Sequence, residues 1–194
     1  MDVQSEPTIR VNFELGPDDI SYFRERLAKA RKNRALRDDD RVILGAEALA
    51  IKAMESKPPT FVTSRMLTLQ NMVDMIKDRD WRLENDDRER VLEVLAYFSD
   101  PADIIPDHLP GVGFLDDVIM IDLAAFDLAP ELEAYADFLA NQEDLKANQP
   151  DAQPTEVARE AFQSRMRRRR RRRAGPTGGA GGTEMITSLF HAGS

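Results

Sequence analysis

The residues of this chain with the clearest chemical potential lie in SDPADIIPDHLPGVGFLDD, Ser99 to Asp117. Five aspartates and three prolines fall there within nineteen residues. Carboxylates gathered at a tight turn are the hard oxygen ligands that magnesium and calcium prefer. On that reading Asp103, Asp107, Asp116 and Asp117 are the candidate metal ligands. The spacing departs from an EF-hand, which needs alternate ligands, a central glycine and a glutamate at its twelfth position. A second reading is local and takes precedence. Asp100-Pro101 reads as a helix N-cap followed by a proline at the first helical position, and Pro106-Asp107 repeats the device. Asp116 and Asp117 fall in the first turn of a later helix, where the dipole favours negative charge by about 0.3–1 kcal/mol each. The aspartates then brace a rigid connection between two core helices.

Other chemistries find less support. DDVIMID, with Asp116, Asp117 and Asp122, fits the DDxxxxD pattern that carries magnesium and diphosphate in all-helical prenyl-diphosphate synthases. Residues 123–145 offer neither a second aspartate-rich motif nor a basic residue to hold a diphosphate. The absence of cysteine excludes thiolate nucleophiles, disulfides and cysteine-ligated metal centres, and fits a reducing cytosol. With only His108 and His191, a histidine-rich metal site within one chain is excluded. No Ser-His-Asp arrangement, P-loop, GxGxxG or HExxH is recognisable. Asp122 shares a helical face with Val118 and Ala125. If that face packs inward, Asp122 needs a hydrogen-bond partner, for which His108 and Tyr97 are candidates.

The strongest feature outside the aspartates is a run of arginines. Arg165 is followed by Arg167, Arg168, Arg169, Arg170, Arg171, Arg172 and Arg173. Guanidinium groups bind phosphate in bidentate fashion and keep their charge at any relevant pH. No aromatic residue interrupts the run, so base stacking and sequence specificity are not expected. Three readings compete: contact with nucleic acid or an anionic membrane surface, docking on the acidic body of the same or another copy, and a solvated tail. Charge is sharply divided. Residues 1–158 hold 18 basic against 33 acidic residues, and residues 159–194 hold nine arginines against two glutamates. Val91 to Leu145 carries thirteen acids and no lysine or arginine. If a helix continues through the run, like charges at i, i+4 oppose it, and fraying is expected without a partner.

The elements that must position these groups read as mostly helical. TIRVNFEL alternates Ile9, Val11, Phe13 and Leu15 as a strand, ended by Gly16-Pro17. Pro17 opens a first helix. A second is capped within Asp38–Asp40, a third at Thr63 or Ser64, and a fourth opens at Asp86-Asp87. Trp81 and Leu83 lie in the connection between the third and fourth. A long helix runs from about Phe114 to Asn141, with Pro130 as a kink. Asn148 to Pro154 is a linker. Thr155 begins the arginine-bearing pattern, and GPTGGAGG is a flexible spacer before EMITSLFHAGS. The N-terminus lacks a basic n-region and an apolar h-region, which predicts no signal peptide. The most apolar run, VGFLDDVIMIDLAAFDLA, carries four aspartates, which predicts no transmembrane segment.

DPADIIPDHLPGVGFLDD resembles the signature of the YkvA-like family, domain of unknown function 1232. Pro101, Asp103, Ile105, Pro106, Asp107, Pro110, Gly113, Leu115, Asp116 and Asp117 carry the resemblance. Asp100 stands where the family has serine, and His108 where it has an aromatic. The helices on either side, about residues 86–140, fit the family's helical hairpin, and the rest of the chain is similar to soluble proteobacterial members. The resemblance implies a fold and supplies no activity.

The combined expectation is a mainly α, cytoplasmic protein, peripheral at most to a membrane. It has about five helices and one N-terminal strand. Residues 1–147 form the helical domain, 148–173 the linker and arginine arm, and 174–194 a disordered glycine-rich tail. An interaction protein is favoured over an enzyme. Its acidic body would meet a protein partner or a second copy, and its arm phosphate-rich partners. The alternatives are a magnesium- or calcium-dependent activity at the aspartate-rich hairpin and a purely structural dimer.

Overall fold

The computed structural model describes residues 14–34, 38–100, 104–105, 109, 112–148 and 156–174. Among them the architecture is helical throughout. Seven helices appear where about five were expected. The proposed strand lies outside the described residues except for Glu14 and Leu15, which are not in a strand.

α1 (Pro17–Asn33) begins as its residues dictate. Pro17 occupies the first helical position, and the Asp19 carboxylate accepts the Gly16 N–H at 2.9 Å. Phe23, Leu27 and Ala30 form its buried stripe. α2 (Asp39–Glu55) starts after Asp38 and buries Val42, Ile43, Ala46, Ala50 and Ala53. α3 (Thr60–Lys77) starts a turn earlier than expected, directly after Pro59. Proline fixes φ there without giving up a helical hydrogen bond. Thr63 and Ser64 lie inside the helix and donate their hydroxyls back to the carbonyls of Pro59 and Phe61. α3 is the central element, packed against α2, α4 (Asn85–Leu95), α5 (Leu115–Asp127) and α6 (Ala129–Asn148). Its Met66, Leu69, Met72, Val73 and Met75 are at most 1% exposed.

The long helix expected from Phe114 to Asn141 is two helices. Leu128 leaves helical geometry at φ −99°, ψ 13°, and Ala129-Pro130 restarts the chain as α6. A proline in the first turn of a new helix loses no hydrogen bond, whereas inside a continuous helix it would cost about 3 kcal/mol. The break leaves Glu131 in the first turn of α6, fully buried.

Two close fits hold the aspartate-rich connection. An added Cβ on Gly45 of α2 would meet the Cα and Cβ of Ser99 at 2.7 Å. In an open helix Gly→Ala gains about 1 kcal/mol. Here Gly45→Ala is expected to destabilise by about 1–3 kcal/mol, because backbone must shift. A urea titration reads the sign directly. The second fit is Asp116, described below.

The last helix, α7 (Glu156–Arg173), lies against α6 and belongs to the same packed unit. Among the described residues no helix is long and apolar enough to cross a membrane.

Candidate functional site

The site is assembled from α4, α6 and α7. Gln163, Met166, Arg167 and Arg170 recur at helical spacing and make one face of α7. Met166 is completely buried, and Phe162 meets Phe138 edge-on with ring centroids 6.1 Å apart. Beneath them lies Trp81, also completely buried, 5.0 Å from Phe138 and 5.7 Å from Tyr135 between centroids. The Gln163 amide donates to the Trp81 carbonyl at 2.7 Å and to the Arg82 carbonyl at 3.2 Å. The connection after α3 is therefore the seat of α7. Asp78 shapes it by accepting the N–H groups of Asp80 and Trp81 and the Tyr135 hydroxyl. Burial, and then the Asp78 charge, push the Tyr135 pKa up.

Above this apolar floor the arginines meet a row of acids. Arg167 reaches Asp87 through Nε at 3.0 Å and Glu84 through Nη2 at 2.9 Å. Arg170 binds the other oxygen of Asp87 and lies 3.4 Å from Glu131. Arg90 completes the group, with Nε 3.0 Å from Glu131 and Nη2 donating to the Asp127 carbonyl. The Asp87 and Glu131 side chains are 4% and 0% exposed. Carboxylates this deep persist only when paired, and the arginine helix supplies much of the pairing. Arg169 spans Glu133 and Asp137 at the rim. Arg173 ends the helix with its guanidinium 4.7 Å from the Phe126 ring centroid.

Fraying of the arginine run was expected without a partner; in the structure the run is helical and seated on the body. The helix continues through Arg173, and Ala174 donates to the Arg170 carbonyl. Repulsion at i, i+4 costs only about 0.2–0.5 kcal/mol per pair, and the acids of α4 and α6 oppose it. Cations in the last turn also favour the helix dipole. The body is the partner that the sequence argument required. In the sequence Asp86-Asp87 marked only the start of a helix. In the fold Asp87 is the residue on which two arginines converge.

The same helix divides its arginines. Arg167, Arg169 and Arg170 are committed to carboxylates, whereas Arg165, Arg168, Arg171 and Arg172 face outward and are exposed. These four make no ion pair among the described residues. Arg165 rests over Phe162 at 4.7 Å, and Arg168 and Arg171 fold back on carbonyls one turn earlier.

The candidate metal ligands divide differently. Asp103 and Asp107 lie outside the described residues, as do Pro101, Pro106, Pro110 and His108. Asp116 and Asp117 are buried in the first turn of α5. Asp116 Oδ2 accepts the N–H groups of Ile104 and Ile105 at 2.9 and 3.1 Å, which ties the aspartate-rich connection to the helix that follows it. No carboxylate or histidine group suited to a metal ion occurs among the described residues. Gly113 and Leu115 of the signature occupy the tight entry to α5, where Gly113 donates to the Leu109 carbonyl. Removing the Asp116 carboxylate strands two backbone donors. Asp116→Ala is therefore expected to cost about 1.5–3 kcal/mol in chemical denaturation.

Asp122 finds its partner in Arg65 of α3, at 3.2 Å. Burial raises the Asp122 pKa, and Arg65 offsets only part of the rise. The native state therefore holds this proton more tightly than the unfolded chain. Asp122's contribution is fully present below the ordinary value of 3.8 and is lost as pH rises through the raised value. Asp122→Asn should remove that decline from the stability–pH profile. Urea titrations of both proteins from about pH 3 to pH 7 would show it.

The signature and its flanking helices are now in place: the end of α4, the aspartate-rich connection and the start of α5. Residues 91–123 match a family model described as a protein of unknown function, DUF1232. The resemblance to that family lies in this segment. No curated protein and no solved structure matches the chain. The arginine helix lies outside the DUF1232 segment.

Proposed function

We propose that this is an interaction protein that presents the outer face of α7 to a phosphate-rich partner. One observation carries the reading. The body neutralises Arg167, Arg169 and Arg170 and leaves Arg165, Arg168, Arg171 and Arg172 exposed on an anchored helix. Seating costs the helix three of its charges and preorganises the rest. An ordered arginine loses less side-chain and backbone freedom on meeting a phosphate than one on a free tail. Guanidinium geometry suits phosphate oxygens, and the absence of aromatics between Arg165 and Arg173 suits a partner bound without regard to sequence. Residues 1–158 hold 18 basic against 33 acidic residues, and this net negative charge disfavours polyanions over most of the body.

Titrating the full chain against labelled oligouridylate and against phosphatidylserine vesicles tests the reading. Saturable binding to one of them near 50 mM salt, weakening steeply by about 150 mM, is expected. Absence of binding to both at the lower salt contradicts it.

A further inference from the structure

We infer that the partner of this face is the sugar–phosphate backbone of nucleic acid, gripped by Arg165, Arg168, Arg171 and Arg172 while Arg167 and Arg170 stay seated on Asp87. The inference rests on the phosphate-partner reading above and narrows it.

Three observations favour a strand over a membrane. The first is shape. Arg165, Arg168 and Arg172 follow one line along the helix, about 10 Å long at 1.5 Å per residue. That matches a polymer of charges better than a plane. The second is the flank. Glu84, Glu133 and Asp137 stand beside α7 with side chains 66%, 59% and 46% exposed. A flat anionic surface reaching the outer arginines would also approach these acids, whereas a single strand along the helix need not. The third is the lack of anything to insert. Between Ser164 and Arg173 the outer face carries no apolar side chain, and the exposed Val157 lies two helical turns before Arg165. Interfacial helices draw on buried apolar area as well as on charge, and this face offers charge alone.

The division of arginines makes the inference quantitative. On single strands log K falls by about 0.7 per phosphate contact for each unit of log salt. Four outward arginines predict a slope of about −3, whereas release of the whole run, with eight arginines engaged, predicts about −6. The test titrates the full chain with oligouridylate across salt, with duplex DNA and phosphatidylserine vesicles as parallel arms. It is repeated with R168A/R171A/R172A. The expected result is binding of oligouridylate with a slope near −3 and weaker binding of vesicles. The triple variant should lose about tenfold or more in affinity while melting like the parent, because these arginines hold no carboxylate. Comparable duplex binding fits the same backbone chemistry. Binding of vesicles without nucleic acid would overturn this inference and leave the phosphate-partner reading standing. A slope near −6, or affinity unchanged in the triple variant, would overturn the assignment to the outer face. Failure to bind any of the three would overturn both.

Discussion

Replacing Arg167 and Arg170 together with alanine is expected to cost about 3 kcal/mol. Removing one side of a buried ion pair typically costs about 3–5 kcal/mol, because the remaining charge is left without compensation. Asp87 is the charge at stake here, since its side chain is 4% exposed and both arginines converge on it. The arginine side chains are 28% and 26% exposed, which places the effect at the lower end of the range. Glu131 keeps Arg90 and loses Arg170. The loss should appear as a lower urea midpoint and as faster amide exchange across Glu156–Arg173. The outward variant R168A/R171A/R172A should change stability by less than about 0.5 kcal/mol, as substitutions on an unpaired surface do. Equal effects from the two variants would mean that the seated and outward arginines are energetically alike.

The second large effect is expected at Trp81. Its ring is completely buried between the α3–α4 connection and α6, against Phe138 and Tyr135. Truncating a buried aromatic to alanine costs about 3–5 kcal/mol. Trp81 also offers Gln163 its carbonyl, next to Arg82, which adopts the left-handed φ of 43°. Trp81→Ala should therefore loosen α7 as well as the core. Trp81→Phe, which keeps a ring, should cost much less. A thermal melt separates the two, and a loss below about 1 kcal/mol for Trp81→Ala would contradict the placement of this residue as the floor of the arginine helix.

The elements most legible in the sequence were those governed by local rules. Pro17, Asp18 and Asp19 announce α1 by themselves, and the apolar spacing of α2, α3 and α4 reads correctly as helix. The signature aspartates read as a helix-bracing turn, and Asp116 does brace it, through a bond to Ile104 and Ile105 that no cap rule anticipates. The break at Leu128 was hidden because Pro130 serves equally as a kink or as a first-turn residue, and only packing selects between them. Asp122 illustrates the same limit. Its face was legible, yet its partner Arg65 lies 57 positions away, on another helix. The arginine arm was the hardest to read. Charge alone gives solvation, self-docking and phosphate binding the same sequence. Met166 and Gln163 were the available signal for docking, because they share one face with Arg167 and Arg170.

On the proposed reading α7 meets its partner as a seated helix and not as a released tail. Amide hydrogen exchange on the full chain, with and without saturating oligouridylate, tests it most directly. The account predicts protection across Glu156–Arg173 in the free protein, undiminished when the strand is bound. Exchange at unprotected rates in the free protein, or protection lost on binding, would contradict it.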